Sequence, residues 1–460
     1  MKLRLAVLVL AIGGGQAILP VLAAQGQAGL PVLHSLSPDE KRGRHIYRHG
    51  ESPAGRPITA LAGGGELGAG IFACANCHGM DGRGVPEGSV EPSDIRWATL
   101  QKILLTARKR PRYDDERLAR AIEEGHDSAG NPLSPVMPRF RMSDADLADL
   151  VSYLKRLGDE PQPGLTGDSI TVATAAPGAM ARTVIEAYFK DVNAAGGVFG
   201  RTLKIADVPA AEAFAVIGAA EGVEATFGDE RVPLITPFPT ASPAPSSFFL
   251  FSDLESQVLA LARHAGTEGR TVHVIHDQTP AARAAAEALK PAADAKRNDG
   301  DLLFLIGPGV DTSAVLRELR SLQWKPRVLI AGANVTADVF DATVPILIAA
   351  PALPSDLTDE GRAELIAFAE RHALPTENLA PQLATYAALK VFVEGLKRAG
   401  RDLTRESLIA SLEQLYQFST GVTPPISYAR NRHIGSTATH VLALDPAARA
   451  FVPVRVRPES

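Results

Sequence analysis

Cys74-Ala75-Asn76-Cys77-His78 decides how the front of this chain is read. The spacing C-x-x-C-H sets two thiols and an imidazole inside five residues, in a chain with only two cysteines among 460 residues. Four chemistries use so close a cysteine pair. A thioredoxin-like redox pair opens a helix after a strand, whereas Ala62 to Ala73 is glycine-rich and gives no clear strand. A structural zinc site wants about four Cys/His ligands in paired spacings, and no second pair exists. A disulfide across two intervening residues is strained and closes almost no loop. The fourth is c-type haem attachment, in which Cys74 and Cys77 form thioethers to one covalent haem and His78 binds the iron.

The compartment agrees. Met1-Lys-Leu-Arg4 is a short basic start, Leu5 to Ile12 is apolar, and Val21-Leu22-Ala23 offers a small-residue cleavage site. This pattern predicts a secretory signal peptide over residues 1–24 rather than an uncleaved anchor, because Gly13-Gly14-Gly15 breaks an apolar run too short to span a bilayer. No later segment is long and apolar enough to cross a membrane. The mature chain is expected in the periplasm, not spanning the membrane after signal cleavage, and a free thiol pair would not persist in that oxidising space.

A second axial ligand is needed, and a Met thioether opposite His is the common arrangement for electron transfer. Met80 lies too close to His78 to reach the far face. Met137 sits in Asn131-Pro-Leu-Ser-Pro-Val-Met-Pro-Arg-Phe140, a loop stiffened by prolines. It is the favoured ligand; Met142, His126, His45 and His49 stay open as alternatives. Ser143-Asp144 reads as a helix N-cap. Leu147, Leu150, Val151 and Leu154 follow at helical spacing and form one buried stripe. The basic run Arg108-Lys109-Arg110-Pro111-Arg112 is weighed as a steering patch for an acidic redox partner against a solvated loop. Acidic residues offset it, the net charge is −5, and nothing suggests nucleic acid.

From Cys74 through Gly84, the Met137-Pro138 loop and the helix to Lys155, the chain resembles a class I-like cytochrome c domain. The resemblance implies an all-α domain, placed at residues 32–158, whose terminal helix packs on the haem-side helix. It further implies a low-spin His/Met haem with no open iron position.

Gly158 to Asp168 is turn-rich and polar, and residues 159–169 read as a linker. The remaining residues, 170–460, alternate β-branched runs with Ala/Leu-rich helical patterns. Strands are predicted at 170–173, 213–217, 271–275, 302–306, 327–330 and 346–348, and helices at 179–195, 255–265, 281–293, 312–322, 359–372 and 383–399. This alternation argues a doubly wound parallel sheet. Gly307-Pro308-Gly309 lacks the remainder of a dinucleotide fingerprint. His273 and His276 read as core or rim residues rather than a ligand pair.

Glu186 to Arg201, Val232 to Pro237, Ala384 to Gly400, and Ile426 to Gly435 with Phe451 to Val454 resemble a type I periplasmic binding protein of the branched-chain amino acid class. The family fold is two α/β lobes joined by three crossovers and closing over a ligand. Position by position, the resemblance implies Thr236, Thr240, Ser242 and Tyr386 as ligand contacts, each with a structural role as the competing reading. It also exposes departures: a short Ala175–Gly178 loop, no room for a helix between Lys204 and Ala213, and Lys296–Gly300 in place of a strand.

The expectation is a multidomain electron carrier with one haem c, coupled to a module that binds a small ligand or docks a redox partner. The partner classes are a periplasmic dehydrogenase or another cytochrome. The alternatives are a substrate-binding component of an ABC-type transport or sensing system with the haem as accessory, and a haem enzyme, which the Met137 loop disfavours.

Overall fold

The computed structural model describes residues 36–454, apart from 87, 106–107, 160–161, 175–178, 219–221, 229, 240–242, 292–295, 333–334, 336 and 376–379. The signal peptide reading, the Ala175–Gly178 departure, Thr240 and Ser242 lie outside the described residues.

The first module runs α1 (Pro38–His49), β1 (Thr59–Ala62), β2 (Gly65–Gly68), α2 (Cys74–His78), α3 (Trp97–Leu100), α4 (Asp115–Glu123), β3 (Arg139–Arg141) and α5 (Asp144–Leu154). It is helical, with one addition. The glycine-rich stretch before Cys74, read as strandless, forms the β1–β2 hairpin, and β3 joins it in a three-stranded antiparallel sheet of order β2-β1-β3. A 3-10 turn, Ala69–Phe72, separates the hairpin from α2, so no βαβ unit forms.

Helix α1 went unpredicted, although Ser37 and Glu40 complete a capping box at its start. It is the partner of α5, which corrects the expectation that the terminal helix packs on the haem-side helix. At the crossing Gly43 lies directly against the backbone of Asp149 and the β-carbon of Tyr153. Tyr47 and Tyr153 are fully buried with ring centroids 5.5 Å apart. Ser143 caps α5 as the sequence implied, and Leu150, Val151 and Leu154 form the buried stripe.

The remainder is a two-lobed α/β clamshell. The first lobe contains β4 (Ser169–Thr174), α6 (Ala179–Ala194), β5 (Thr202–Ile205), β6 (Ala215–Ile217), β7 (Leu234–Thr236) and β8 (Ser247–Phe249). Its parallel sheet has the order β5-β4-β6-β7-β8. Only a 3-10 turn, Ala210–Glu212, links β5 to β6, as the shortened sequence there required.

The chain then crosses into the second lobe: α7 (Leu254–Ala265), β9 (Val272–His276), α8 (Pro280–Ala288), β10 (Leu302–Ile306), α9 (Thr312–Ser321), β11 (Arg327–Ala331) and β12 (Ile346–Ala350). It returns with α10 (Asp359–Arg371), α11 (Ala380–Ala399) and α12 (Arg405–Glu413), whose apolar faces share the first lobe's core. A third crossing leads to β13 (His440–Asp445) and β14 (Ala450–Pro453), antiparallel additions to the second sheet. Strand β10 is buried throughout because helices cover both faces of its sheet: Leu302, Phe304 and Ile306 pack toward α7 and α8, Leu303 and Leu305 toward α9.

Candidate haem site and interdomain interface

Helix α2 is one turn long, and Cys74, Cys77 and His78 stand at i, i+3 and i+4, the spacing that places side chains on one helical face. The two thiols are not bonded to each other. Burial pushes the Cys74 thiol up to about 12, the opposite of the low value that activates a redox-pair cysteine.

After α2 the chain turns at Gly79 (φ 76°) and folds back. The carbonyls of Cys77 and His78 accept from the N–H groups of Val85 (2.8 Å) and Gly84 (2.9 Å), and Ile95 N–H donates to Gly82 (2.8 Å). This loop carries the Ser93 carbonyl to 3.0 Å from His78 Nδ1. Only a protonated Nδ1 can donate there, which leaves Nε2 as the lone-pair nitrogen. Burial lowers the His78 pKa, so the ring stays in the neutral form that a metal requires. Helix α1 is tied to the same turn, because the buried Tyr47 hydroxyl donates to the Gly79 carbonyl at 2.7 Å.

The three methionines separate cleanly. Met80 and Met142 pack against the domain core, and Met80 also lines a cavity at the domain boundary. Met137 is half-buried and is absent from that core packing. Its loop is held by Arg139, whose guanidinium donates to the carbonyls of Met137, Leu133 (3.3 Å) and Ser134. Because Met137-Pro138 leads straight into β3, which pairs with β1, one sheet ties the Met loop to the hairpin preceding α2.

Upstream of this loop, Asp127 is an organising hub. It is 2% exposed and accepts from the backbone of Ala129 and Asn131, the Asn131 amide and Arg108 Nε (2.8 Å). These partners hold its carboxyl down at about 2 despite desolvation. The same contacts redefine the basic run. Arg108 also donates to the Pro132 carbonyl (2.6 Å), while Arg110 reaches the Leu100 and Lys102 carbonyls and lies over the Tyr113 ring. Those two arginines brace loops and are not a free steering patch. Of the alternative histidines, His45 and His49 lie with ring centroids 4.6 Å apart and tilted along α1, and His126 lies 3.9 Å from Glu124.

Do these residues fit a haem? Large apolar side chains stay exposed just before the motif (Ile71, 68%), beside Met137 (Val136, 58%) and in the loop after α3 (Ile103, 54%; Leu105, 76%). A porphyrin supplies the apolar surface that such side chains would otherwise have to find in a core. The donor set fits too, with two thiols and a neutral imidazole on one face and a thioether outside the core.

The clamshell meets this domain through charge. The Glu230 carboxylate stands among Arg44 (3.2 Å) and Arg48 (3.7 Å) of α1 and Arg405 (3.5 Å) of α12. Arg405 is 4% exposed and also donates to the carbonyls of Ala211 (2.7 Å) and Ala213. Burial lowers its pKa to about 10, which keeps it cationic at neutral pH. Arg231 pairs with Glu406 at 2.8 Å. A cavity of about 80 Å³ here is lined by both domains, Met80 and Asp81 among its walls. Arg430 makes a second bridge, donating to the Pro86 carbonyl.

The residues proposed for the clamshell ligand fare differently. Thr236 is 3% exposed at the end of β7. Tyr386 is buried among Tyr188 and Phe368 and donates to Glu364 at 2.9 Å, surroundings that match the core-packing role weighed against ligand contact. At the matching end of the second sheet, the Asp277 carboxylate accepts from Thr279 and from Gly309 N–H (2.9 Å) and sits against Gly307. An anion already caps the glycine turn, so a phosphate would be repelled there.

Residues 65–158 match the cytochrome c family model, and residues 290–449 match the periplasmic binding protein family model. The chain therefore carries a stretch similar to cytochrome c, followed by a longer one similar to periplasmic binding proteins. Among solved structures it is similar to a fatty acid ABC transporter substrate-binding protein from Thermomonospora curvata, at 17% identity over 64% of this chain and 93% of that one (TM-score 0.49). It is also similar to a possible leucine/isoleucine/valine-binding protein from Rhodopirellula baltica SH 1, at 15% identity over 64% and 98% (TM-score 0.46). A third is an ABC transporter substrate-binding protein from Desulfitobacterium hafniense in complex with Leu, at 16% identity over 62% and 99% (TM-score 0.46). No curated protein matches the chain. Among the described residues no helix is long and apolar enough to cross a membrane.

Proposed function

We propose that this chain is a periplasmic electron carrier: one haem c held by Cys74 and Cys77, ligated by His78 and Met137, and mounted on a solute-binding-like clamshell. The haem, when bound, supplies reversible one-electron carriage. The chain's own residues orient and enclose it. Ser93 fixes the His78 tautomer, Arg139 positions the Met137 loop, and the Glu230 arginine cluster fastens the domain to the first lobe. His78 and Met137 would both be held to the haem iron, so the reading is a carrier rather than an enzyme. The observation that carries it is that Met137, alone of the three nearby methionines, lies outside the core while its loop is clamped. Spectra of the reduced protein and of Met137→Ala test it. The wild type is expected to refuse carbon monoxide and the variant to bind it; ready binding by the wild type would sink His/Met ligation.

A second reading, a substrate-binding component of a transport or sensing system, is favoured by the family match over residues 290–449. Thermal shift against amino acids, short acids and alcohols tests it, since a ligand selective for the native state raises the melting temperature. A panel without any shift would leave the clamshell as a docking mount for a redox partner, such as a dehydrogenase or a second cytochrome.

A further inference from the structure

The two lobes share one plan with a strand missing from the second. In the first lobe β5 flanks β4 at the sheet edge. In the second, β9-β10-β11-β12 repeats β4-β6-β7-β8, and among the described residues no strand follows α8 to take the place of β5. Strand β9 is left as the edge.

Half of its main-chain groups face outward. Leu302 N–H donates to the Thr271 carbonyl (2.9 Å) and Asp277 N–H to the Ile306 carbonyl (3.1 Å). By the alternation of a parallel ladder, Val272, Val274 and His276 then turn their N–H and C=O groups off the edge. Among the described residues no hydrogen bond reaches them. The strand Thr271-Val-His-Val-Ile-His276 carries no lysine and no proline, the residues that protect exposed edges.

The edge opens into a slot of about 530 Å³. Arg283 and Glu287 of α8 border one side, and Arg297 and Trp324 border the other, with the Arg297 guanidinium 5.4 Å from the Trp324 ring centroid. Ile275 is 40% exposed at its floor. A slot walled on both faces of the sheet suits one added strand, whereas a second copy would bring its own α8 into the same space. Two arginines against one glutamate set the preferred charge of the visitor.

We propose that the open edge of β9 is a docking site where a partner polypeptide adds one extended strand bearing an acidic side chain against Arg297. Main-chain bonds to Val272, Val274 and His276 supply the affinity and the slot walls the selectivity. This stands independently of the haem reading.

The test uses the full-length haem-loaded protein and two capped heptapeptides, Thr-Val-Glu-Val-Thr-Val-Thr and the same sequence with Lys for Glu. Hydrogen exchange over residues 271–277 and Trp324 emission are read together. The glutamate peptide is expected to slow exchange there by about tenfold or more, and the lysine peptide by much less. Val274→Pro removes an outward donor without touching the β9–β10 ladder, and is expected to abolish protection with the haem spectrum unchanged. Arg297→Glu, on the surface, is expected to reverse the preference between the peptides. Equal failure of both peptides at saturation overturns the proposal. So does protection of the outward Val272, Val274 and His276 amides in the protein alone, or a dimer that exposes β9 only on dissociation.

Discussion

Arg139 and Gly125 are in direct contact: the guanidinium occupies the space where a β-carbon on Gly125 (φ 71°) would stand, and from there it reaches the Leu133 and Met137 carbonyls. Gly125→Ala therefore has to push Arg139 off the Met loop. The expected result is loss of the Met-to-iron charge-transfer band and a lower reduction potential, with haem attachment intact. Potentiometry of the purified variant checks it, and an unchanged potential would mean the clamp is dispensable.

Gly43→Ala tests the α1–α5 crossing. The added methyl meets the Asp149 carbonyl carbon at 2.6 Å and the Tyr153 β-carbon at 2.8 Å, both in a packed interface. Overpacking of this kind costs about 1–3 kcal/mol. Calorimetry should show unfolding begin at a lower temperature than in the wild type, and an unchanged onset would mean that the crossing accommodates the methyl.

Glu230→Ala removes the anion that Arg44, Arg48 and Arg405 share. Arg405, with its side chain 5% exposed, is left without that compensation, and breaking a buried pair costs about 3–5 kcal/mol. Because Glu230 is itself a quarter exposed, the lower end is expected. Thermal unfolding should split into two separate transitions, and susceptibility to proteolysis between the domains should rise. A single unchanged transition would show that the ion cluster does not fasten them.

Acid stability follows from Asp127 and Asp146. Both carboxyls are held at about 2 in the folded chain against an ordinary 3.8, Asp127 by Asn131 and Arg108, Asp146 by Arg56, Ser143 and Ser52. Unfolding therefore takes up protons between these values. Their contribution is full above pH ~4 and is lost as pH falls through 2; each is worth about 1–2 kcal/mol once the half-exposed arginine partners are discounted. Asp127→Asn should flatten the acid limb of a stability-against-pH curve and leave the neutral region lower by a similar amount.

Much was legible in the sequence because it rested on local chemistry. A five-residue motif set out the haem-attachment reading, proline spacing singled out Met137, and alternating apolar runs marked β4, β6 and β9 through β12. Strands β5, β7 and β8 escaped because runs of three or four residues show too little periodicity. Helix α1 escaped as well, although Ser37 and Glu40 announced it; its polar sequence hides a contact face made by a glycine. Tyr386 kept two readings because a position on a helix does not say which way the side chain points.

The sequence by itself determined the two modules, their order, and the donor types offered to a haem, since each follows from residue identity and short-range spacing. Only the tertiary structure decided which carbonyl orients His78, which methionine stays out of the core, what the basic run is used for, and how the modules are fastened. Ser93, Arg139, Asp127 and Glu230 act through partners brought near by folding, and no local pattern records a contact between Glu230 and an arginine 186 residues before it.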